Sequence, residues 1–216
     1  MHDITEIKRL PAPAARPQSL AWDGSFLWIG SMATKFVYQI EPETWTVRWQ
    51  IEAPGVPFGM VWIGKELRVL CGETDEDNRL IRRCIPGQGF DSTFKIHCPD
   101  DTGSQLGYDG QHLHVSQWYN KRVLALDENG QVVRTVAAPH EICGQVVVDG
   151  SLHLLTTDDE STNDYFLTRI TVDGDTPVAE DLARIPFQAR ALAFDGKHFW
   201  TNHREQHETV CFALPG

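Results

Sequence analysis

The chain has 216 residues, 41% of them hydrophobic, which is enough for a sizeable core in one domain, and its formal net charge of −11 makes nucleic acid and anionic membrane surfaces poor partners. The start MHDITEIKRL carries charges where a signal peptide needs an apolar run, and no stretch is long and apolar enough to span a membrane. Five cysteines without a CxxC pair are typical of free thiols in a reducing compartment, so we expect a cytoplasmic protein.

The first predicted element is a hairpin at residues 19–30, which read SLAWDGSFLWIG. Its two apolar runs are too short for helices and have the length of strands. Asp-Gly between them is a strong hairpin signal, because both turn residues can take positive φ. Residues 36–55 then add two further apolar runs, separated by EPET and ended by Pro-Gly. This first unit is therefore predicted to hold four short antiparallel strands.

Near-copies of the hairpin follow along the chain, at residues 59–70, 105–116, 145–156 and 191–202. Their turn glycines are spaced 40, 46, 40 and 46 residues apart and are Gly24, Gly64, Gly110, Gly150 and Gly196. Four short antiparallel strands in a repeat of this length are the composition of a β-propeller blade. The sequence therefore predicts an all-β protein with five blades.

The fifth unit has only three predicted strands, because the chain ends after ETVCFALPG. The N-terminal segment ITEIKRLPAP resembles the fourth strands of blades one and three. We expect residues 4–10 to pair with residues 208–214, so that the last blade keeps no open edge. The prediction is a single, monomeric five-bladed β-propeller domain over residues 1–216.

The repeat P-x-S-L-A-W-D-G-S-x-L-W-I-G, followed by V-Y-Q-I-x-P-E-T and I-x-A-P-G, resembles those of a broad propeller superfamily. Its members include NHL-repeat proteins, streptogramin B lyase, the gluconolactonase family and the five-bladed glutamine cyclotransferases. The resemblance covers nearly the whole chain and lies in framework residues, so it implies the fold. It does not imply one activity, because these relatives include lyases, lactonases, cyclases and interaction modules.

A site is expected at one mouth of the propeller axis, where the inner strands begin and the second strands end. The residue types at these positions differ from one repeat to the next, whereas the framework residues are similar. Functional residues are commonly found in such variable loops on a repeated framework. The residues predicted to bind a small-molecule substrate there are Arg190, Gln105, Gln145, Asn202, Trp118 and Tyr119.

Arg190 is the most informative of these residues. The aligned residues of the other blades are uncharged and are Gln18, Phe58, Ser104 and Gly144. An arginine backed by amides suits a carboxylate or phosphate ligand, through its planar fork of donors. The alternative is that Arg190 pairs with Glu73 or Glu141 and plugs the channel. Gluconolactonase-type relatives hold a divalent cation on the axis with Glu, Asp and Asn, and this chain departs from that pattern, so neither a metal nor another cofactor is expected.

Acid–base chemistry is assigned to His203, which leaves the second strand of blade five and can titrate near neutral pH, with Glu73 or Glu141 as a second titrating group. Cys143 beside His140 is a nucleophile only if the histidine reaches an exposed thiol, and a buried inert cysteine is the commoner case.

Two further patterns have a metal-binding and a plain interpretation. His112 and His114 share one face of a strand, but they align with framework aromatics, which favours packing. The acidic segments at residues 72–78 and 156–164 lack the spacing of an EF-hand loop, which favours solvated charge over calcium binding.

Two functions remain open from the sequence. The first is an enzyme, lyase- or cyclase-like or a hydrolase, that acts on a small polar, anionic or carbonyl-bearing substrate at the axis. The second is a non-catalytic module that binds a sugar or a peptide. Because the loops differ while the framework repeats, one central site is favoured over five equivalent ones, and the enzyme over the module.

Overall fold

Residues 1–74, 78–173 and 176–215 are described by the computed structural model, 172 and 173 by their backbone alone. Within them, twenty strands form five four-stranded antiparallel sheets, each of which is one blade. Blade 1 consists of β2 (Pro17–Trp22), β3 (Leu27–Ser31), β4 (Phe36–Glu41) and β5 (Thr46–Glu52). Blade 2 consists of β6 (Val56–Ile63), β7 (Glu66–Gly72), β8 (Arg79–Ile85) and β9 (Gly89–His97).

Blades 3 to 5 repeat this order from the axis outward. Blade 3 consists of β10 (Gln105–Tyr108), β11 (Leu113–Gln117), β12 (Arg122–Leu126) and β13 (Val132–Ala137). Blade 4 consists of β14 (Glu141–Val148), β15 (Ser151–Thr157), β16 (Tyr165–Asp173) and β17 (Thr176–Ile185). Blade 5 consists of β18 (Ala189–Phe194), β19 (Phe199–His203), β20 (Glu208–Ala213) and β1 (Thr5–Pro11). The predicted five-bladed, all-β architecture is confirmed.

The N-terminal strand closes the ring as the sequence predicts. Strand β1 runs antiparallel to β20, with Thr5 opposite Ala213 and Pro11 opposite Glu208. The segment before β1 reaches blade 4, where the backbone N–H of Ile4 donates to the carbonyl of Arg184 at 2.9 Å. Since the inner strands of neighbouring blades contact each other all round the ring, the five sheets enclose one central axis.

The core lies between neighbouring blades, where the apolar faces of the sheets meet. Trp28 of blade 1 is fully buried and stacks on Trp62 of blade 2, with 6.0 Å between the ring centroids. Trp200 of blade 5 stacks on Trp45 of blade 1 at 5.9 Å. Burying one such ring contributes roughly 2–3 kcal/mol, so these contacts hold each blade against the next.

The inner strands approach so closely that two positions require glycine. A Cβ atom at Gly59 would lie 2.7 Å from Cα of Gln105 in the next blade. A Cβ atom at Gly144 would lie 2.6 Å from the carbonyl carbon of Ala191. Backbone atoms cannot yield to such an approach as a flexible side chain can, so glycine at these positions lets the axis be narrow.

The Asp-Gly hairpins form as predicted, but the reason given for them holds in one blade only. Asp149 and Gly150 both take positive φ, 49° and 74°, in a two-residue turn. In blades 1, 3 and 5 the loop has four residues and only its glycine has positive φ. There the aspartate instead accepts hydrogen bonds from the backbone N–H groups two and three residues later, as Asp23 does from Ser25 and Phe26. In these three blades the aspartate side chain therefore caps the turn, and the aspartate itself does not need positive φ.

His114 is a framework residue, which supports the packing interpretation of the HxH pair. Its Nε2 lies 3.0 Å from Oδ2 of Asp109, and its side chain is 2% exposed. Trp28 and Trp200 make the same contact in their own blades, through the indole N–H. Burial lowers the pKa of His114, so the imidazole is neutral near pH 7.

All five cysteines are buried and unpaired. Burial raises the pKa of four of these thiols to about 12 and that of Cys211 to about 11, so none has an appreciable thiolate fraction near pH 7. Among the described residues, no helix has the length and apolar character needed to cross a membrane.

Candidate functional site

A cavity of about 180 Å³ opens at the end of the axis where the inner strands begin. We call it the arginine mouth. Its lining includes Gln18, Phe58, Arg79, Gln105, Trp118, Tyr119, Cys143, Glu160, Arg190 and Arg204. Three of these side chains are arginines, and two of them have carboxylate partners, Arg190 with Glu160 and Arg204 with Glu205. An anionic ligand that binds here would compete with these carboxylates for the guanidinium groups.

Arg190 occupies the base of the arginine mouth and is 3% exposed. Its Nη1 donates to the hydroxyl of Tyr165 at 2.7 Å and to the carbonyl of Ala189 at 2.8 Å. Its Nη2 donates to Oε2 of Glu160 at 2.7 Å, while the buried Nε has no hydrogen-bond partner. One end of the guanidinium is thus fixed, and the Nε–Nη2 edge has an unused donor.

Glu160 is the counter-ion of Arg190, so the alternative interpretation from the sequence, in which Arg190 pairs with Glu73 or Glu141, is wrong about the partner. Its side chain is 55% exposed, on the loop that follows β15. The backbone of the loop is held in place, because Tyr165 donates to the carbonyl of Glu160 at 3.1 Å. A carboxylate on a fixed backbone but with an exposed side chain can leave the guanidinium without unfolding the loop.

Aromatic rings form the walls of the arginine mouth. The guanidinium carbon of Arg190 lies 5.0 Å from the Trp118 ring centroid, and that of Arg79 lies 3.6 Å from the Phe58 centroid. Tyr119 is 84% exposed at the rim. A cation against an aromatic face is a favourable arrangement that also presents flat apolar surface. The mouth therefore suits a ligand with a planar part as well as a charge.

Of the three amide side chains predicted to line the mouth, only Gln105 does so. Gln105 lines the arginine mouth and donates from Nε2 to the carbonyl of Phe58 at 2.9 Å. Gln145 lines a second cavity at the opposite end of the axis. Asn202 is buried within blade 5, where its Oδ1 accepts from Thr209 at 2.8 Å, and it does not line the mouth. Of the predicted binding residues, the mouth therefore brings together Arg190, Gln105, Trp118 and Tyr119.

The three predicted acid–base residues do not line the arginine mouth. His203, at the end of β19, stacks on Phe187, and its Nδ1 lies 3.3 Å from Nη1 of Arg9 in β1. Because an arginine only donates, Nδ1 must accept, and the proton of a neutral His203 is on Nε2. Burial, and secondly Arg9, lower the pKa of His203. The expected convergence of His203 on Arg190 is thus corrected.

Glu73 and Glu141 have structural partners instead. Glu73 pairs with Arg82, with 2.9 Å between Oε1 and Nε. Glu141 accepts from the indole N–H of Trp118 at 2.6 Å and so orients the ring that lies against Arg190. Glu141 acts on the mouth through Trp118, as a positioning residue.

Cys143 lines the mouth but lacks the features of a nucleophile. It is fully buried, and burial raises the pKa of its thiol to about 12. His140 is turned away, with Nδ1 at 2.8 Å from Oδ1 of Asp158. The inert interpretation of this cysteine is supported.

The acidic segments have different outcomes. In the segment at residues 72–78, positions 75–77 lie outside the described residues. In the segment at residues 156–164, Asp159 is exposed, and its carboxylate accepts from the backbone N–H and the hydroxyl of Ser161 in the same loop. Glu160, which lies in this segment, is a site residue that the sequence analysis did not identify. The available signal was that a buried arginine needs an anion and that this acidic loop adjoins the start of blade 5.

One group of possible metal ligands lies outside both axial cavities, among the described residues. The ligand atoms of Asp195, His198 and Cys211 fall within 4.8 Å of one another. Asp195 already accepts from two backbone N–H groups and from Trp200. Burial also raises the pKa of the Cys211 thiol to about 11. This group resembles the turn caps of the other blades more than a metal centre.

No family model matches the chain, and no curated protein matches it significantly. Solved structures do share its fold. A PQQ-bound aldose sugar dehydrogenase from Streptomyces coelicolor is 11% identical with a TM-score of 0.59, over 99% of this chain and 98% of that one. Hydrazine synthase from Kuenenia stuttgartiensis is 18% identical with a TM-score of 0.55, over 90% of this chain and 64% of that one.

A streptogramin B lyase structure is 14% identical with a TM-score of 0.53, and the match covers 95% of this chain and 67% of that chain. These likenesses show a propeller fold, and at such identities they show the fold alone. The chain spans less than two thirds of the hydrazine synthase chain that it matches.

Proposed function

We propose that the protein is a small-molecule enzyme of the lyase or cyclase type, which binds an anionic substrate at the arginine mouth. One observation carries this proposal: Arg190 is almost fully buried, one of its donors has no partner, and its counter-ion is an exposed and displaceable side chain. Two of the propeller structures similar to this chain are those of a lyase and a sugar dehydrogenase, which agrees with an enzymatic role.

The substrate's carboxylate is proposed to displace Glu160 from Arg190. It would take the Nε and Nη2 donors together, as arginine forks do with planar oxyanions. Glu160 holds only Nη2, so the exchange adds one hydrogen bond to a donor that is now unsatisfied. Tyr165 and the carbonyl of Ala189 keep the guanidinium plane fixed during the exchange.

The displaced Glu160 is the group proposed to move a proton. It stays tethered by its backbone beside the bound anion, where it can remove a proton from the carbon next to the carboxylate or carbonyl group. Negative charge then develops on the oxygens held by Arg190, which stabilises it. In a lyase, the electron pair expels a leaving group from the adjacent atom. In a cyclase, Glu160 removes the proton of a nucleophile within the substrate, the nucleophile bonds to the substrate's carbonyl carbon, and the group expelled from that carbon takes the proton back from Glu160.

A non-catalytic binding module is the second candidate, since His203, Glu73 and Glu141 lie away from the mouth. Glu160 is then a gate that the ligand opens, and no product forms. The two functions differ in one measurable respect. An enzyme with Glu160→Gln keeps its ligand and loses turnover, whereas a binding module shows no turnover with either residue.

The test is a calorimetric titration with benzoate, a planar carboxylate, and with benzamide, its neutral analogue. We expect wild type to prefer benzoate, Arg190→Gln to lose that preference, and Arg184→Gln to keep it. Arg184 is a matched control, because it is an exposed arginine paired with Asp3 and Asp164 on blade 4. Equal binding of the two compounds by wild type would end the proposal. Succinate, phosphate and PQQ extend the ligand series.

Turnover is tested separately, by incubating wild type and Glu160→Gln with a mixture of small carboxylates and following masses by mass spectrometry. A fragmentation or ring-closure product that forms with wild type alone supports the enzyme. Products from neither protein favour the binding module.

We further propose that the protein works as a monomer in the cytoplasm. Five buried free thiols suit a reducing compartment, and the ring of blades is closed within one chain. Light scattering at micromolar concentration tests the first point, and labelled protein in cells tests the second.

A further inference from the structure

A second cavity, of about 190 Å³, lies at the other end of the axis, where the inner strands end. We call it the aromatic bowl. Every blade contributes three consecutive residues to it, and the third of each forms the rim, which consists of Trp22, Trp62, Tyr108, Val147 and Phe194. Among the described lining residues none is charged, in contrast to the arginine mouth.

Gln145 breaks the repeat inside the aromatic bowl. The first residue contributed by each of the other four blades is apolar, and these residues are Leu20, Met60, Leu106 and Leu192. Blade 4 has Gln145 there, and its side chain is buried, with 2% relative exposure. The framework thus accepts an apolar side chain at this position in four blades, and the amide needs a separate explanation.

The orientation of the Gln145 amide is fixed by its neighbours. Its Nε2 donates to the carbonyl of Gln105 at 2.9 Å and to the carbonyl of His114 at 3.0 Å. Both partners are acceptors only, so the amide cannot turn over without losing both bonds. Its Oε1 is therefore held as an acceptor, and this buried atom has no hydrogen-bond partner. A buried acceptor without a hydrogen-bond partner destabilises the folded protein, and a ligand that donates a hydrogen bond to it removes this cost.

The bowl has room for a ring beside the Gln145 side chain. Gly107 lies against the Gln145 side chain, where a Cβ would be 3.5 Å from Cγ and Cδ. Unlike Gly107, the residues at the equivalent position of the other blades have a side chain, and they are Ala21, Val61, Val146 and Ala193. A cavity of roughly 150 Å³ is large enough for benzene, so this bowl has the volume for one substituted ring.

We infer that the aromatic bowl is a second ligand site, for a small neutral aromatic molecule with one O–H or N–H donor, such as a phenol. The donor bonds to Oε1 of Gln145, and the ring packs against the rim aromatics. The neutral lining excludes the carboxylate ligands that suit the arginine mouth, because the bowl offers a charge no counter-ion. The site is separate from the one behind the proposed function.

The experiment titrates phenol and toluene by ligand-observed NMR, with wild type and Gln145→Leu. Leucine at this position is the residue of three other blades, so the variant restores the repeat. We expect the ratio of phenol to toluene affinity to fall about tenfold in the variant, because the phenol hydroxyl is then buried without an acceptor. An unchanged ratio overturns the inference.

Gly107→Val keeps the amide and fills the bowl, as valine does in blades 2 and 4, so it tests the site even where Gln145→Leu folds poorly. Phenol binding should fall at least about fivefold in this variant. Arg190→Gln should leave phenol binding unchanged while it removes benzoate binding, so failure of one site is distinguishable from failure of the other. Absence of phenol and toluene binding at millimolar concentration identifies a cavity that holds water only and overturns the inference.

Discussion

The guanidinium of Arg190 and the carboxylate of Glu160 form an unequal ion pair, with 2.7 Å between Nη2 and Oε2. The cation is 3% exposed and the anion is 55% exposed. When the pair opens, water solvates the carboxylate, while the guanidinium keeps only Tyr165 and one backbone carbonyl. Removal of the anion therefore leaves a buried charge unpaired, and removal of the cation does not.

Arg190→Gln is expected to change stability little. Its loss leaves Glu160 in solvent and relieves the desolvation of a buried cation, which offsets the lost contact with Tyr165. We expect a net loss of ~1 kcal/mol, or about 2–4 °C in melting temperature for a chain of this size. A thermal melt followed by circular dichroism measures this. A fall of more than about 10 °C would show that Arg190 is a structural plug.

Glu160→Gln is expected to be the more destabilising change, by ~2 kcal/mol, because the buried Arg190 keeps only a neutral acceptor. The same variant should bind benzoate about tenfold more tightly, since no side-chain carboxylate competes for the guanidinium. Benzoate should therefore raise its melting temperature more than that of wild type. Melting curves with and without benzoate check both points, and weaker benzoate binding by the variant would mean that Glu160 helps to hold the ligand.

The architecture was predictable because each blade is encoded by local signals, repeated five times. The side chains at the axis were less predictable, and Gln145 shows why. The turn of blade 4 has two residues where blades 1, 3 and 5 have four, so an alignment on the turn glycine shifts blade 4 by one residue. That shift assigns Gln145 to the wrong end of the axis.

His203 and Glu160 show a second limit. Along β19 successive side chains point to opposite faces, so the neighbour of a buried Asn202 faces Phe187 and Arg9 instead of the axis. Glu160 is one of several acidic residues in its loop, and the turn conformation decides which of them reaches Arg190. Arg190 itself was predictable, because it breaks a repeat whose other members are uncharged.

Acid stability should depend on the turn carboxylates, and Asp109 is the clearest case. Burial acts to raise the pKa of Asp109, but the backbone N–H groups of His112 and Gln111 and the His114 side chain outweigh it and hold the pKa at about 2. A folded-state pKa below the unfolded value stabilises the protein above about pH 4, and this contribution is lost as the pH falls towards 2. Melting temperatures between pH 5 and 2.5 should therefore fall more steeply for wild type than for Asp109→Asn. Parallel curves would contradict the assignment.

Chelation should leave ligand binding intact. Glu160 is the one carboxylate among the described residues that line the arginine mouth, and a hard divalent cation needs several oxygen ligands. Benzoate affinity is measured before and after prolonged dialysis against EDTA, and the two values should agree. The group formed by Asp195, His198 and Cys211 lies outside both cavities. Removal of a metal ion from that group would therefore not change benzoate binding at the mouth. A loss of binding that calcium, magnesium or zinc restores would reverse this view of the mouth.

Ring closure by the N-terminal strand should be essential for stability. Deletion of residues 1–12 removes the whole ladder between β1 and β20, the Ile4 bond to blade 4 and the hydrogen bond from the Trp45 indole to the carbonyl of Pro11. Strand β20 would then face solvent along an open edge. We expect the melting temperature to fall by more than about 10 °C, or the truncated chain to stay unfolded. A synthetic peptide of residues 1–12 should restore folding when added in excess, and a peptide of scrambled sequence should not. A truncated chain that melts within about 3 °C of the full one would show that the ring does not depend on this strand.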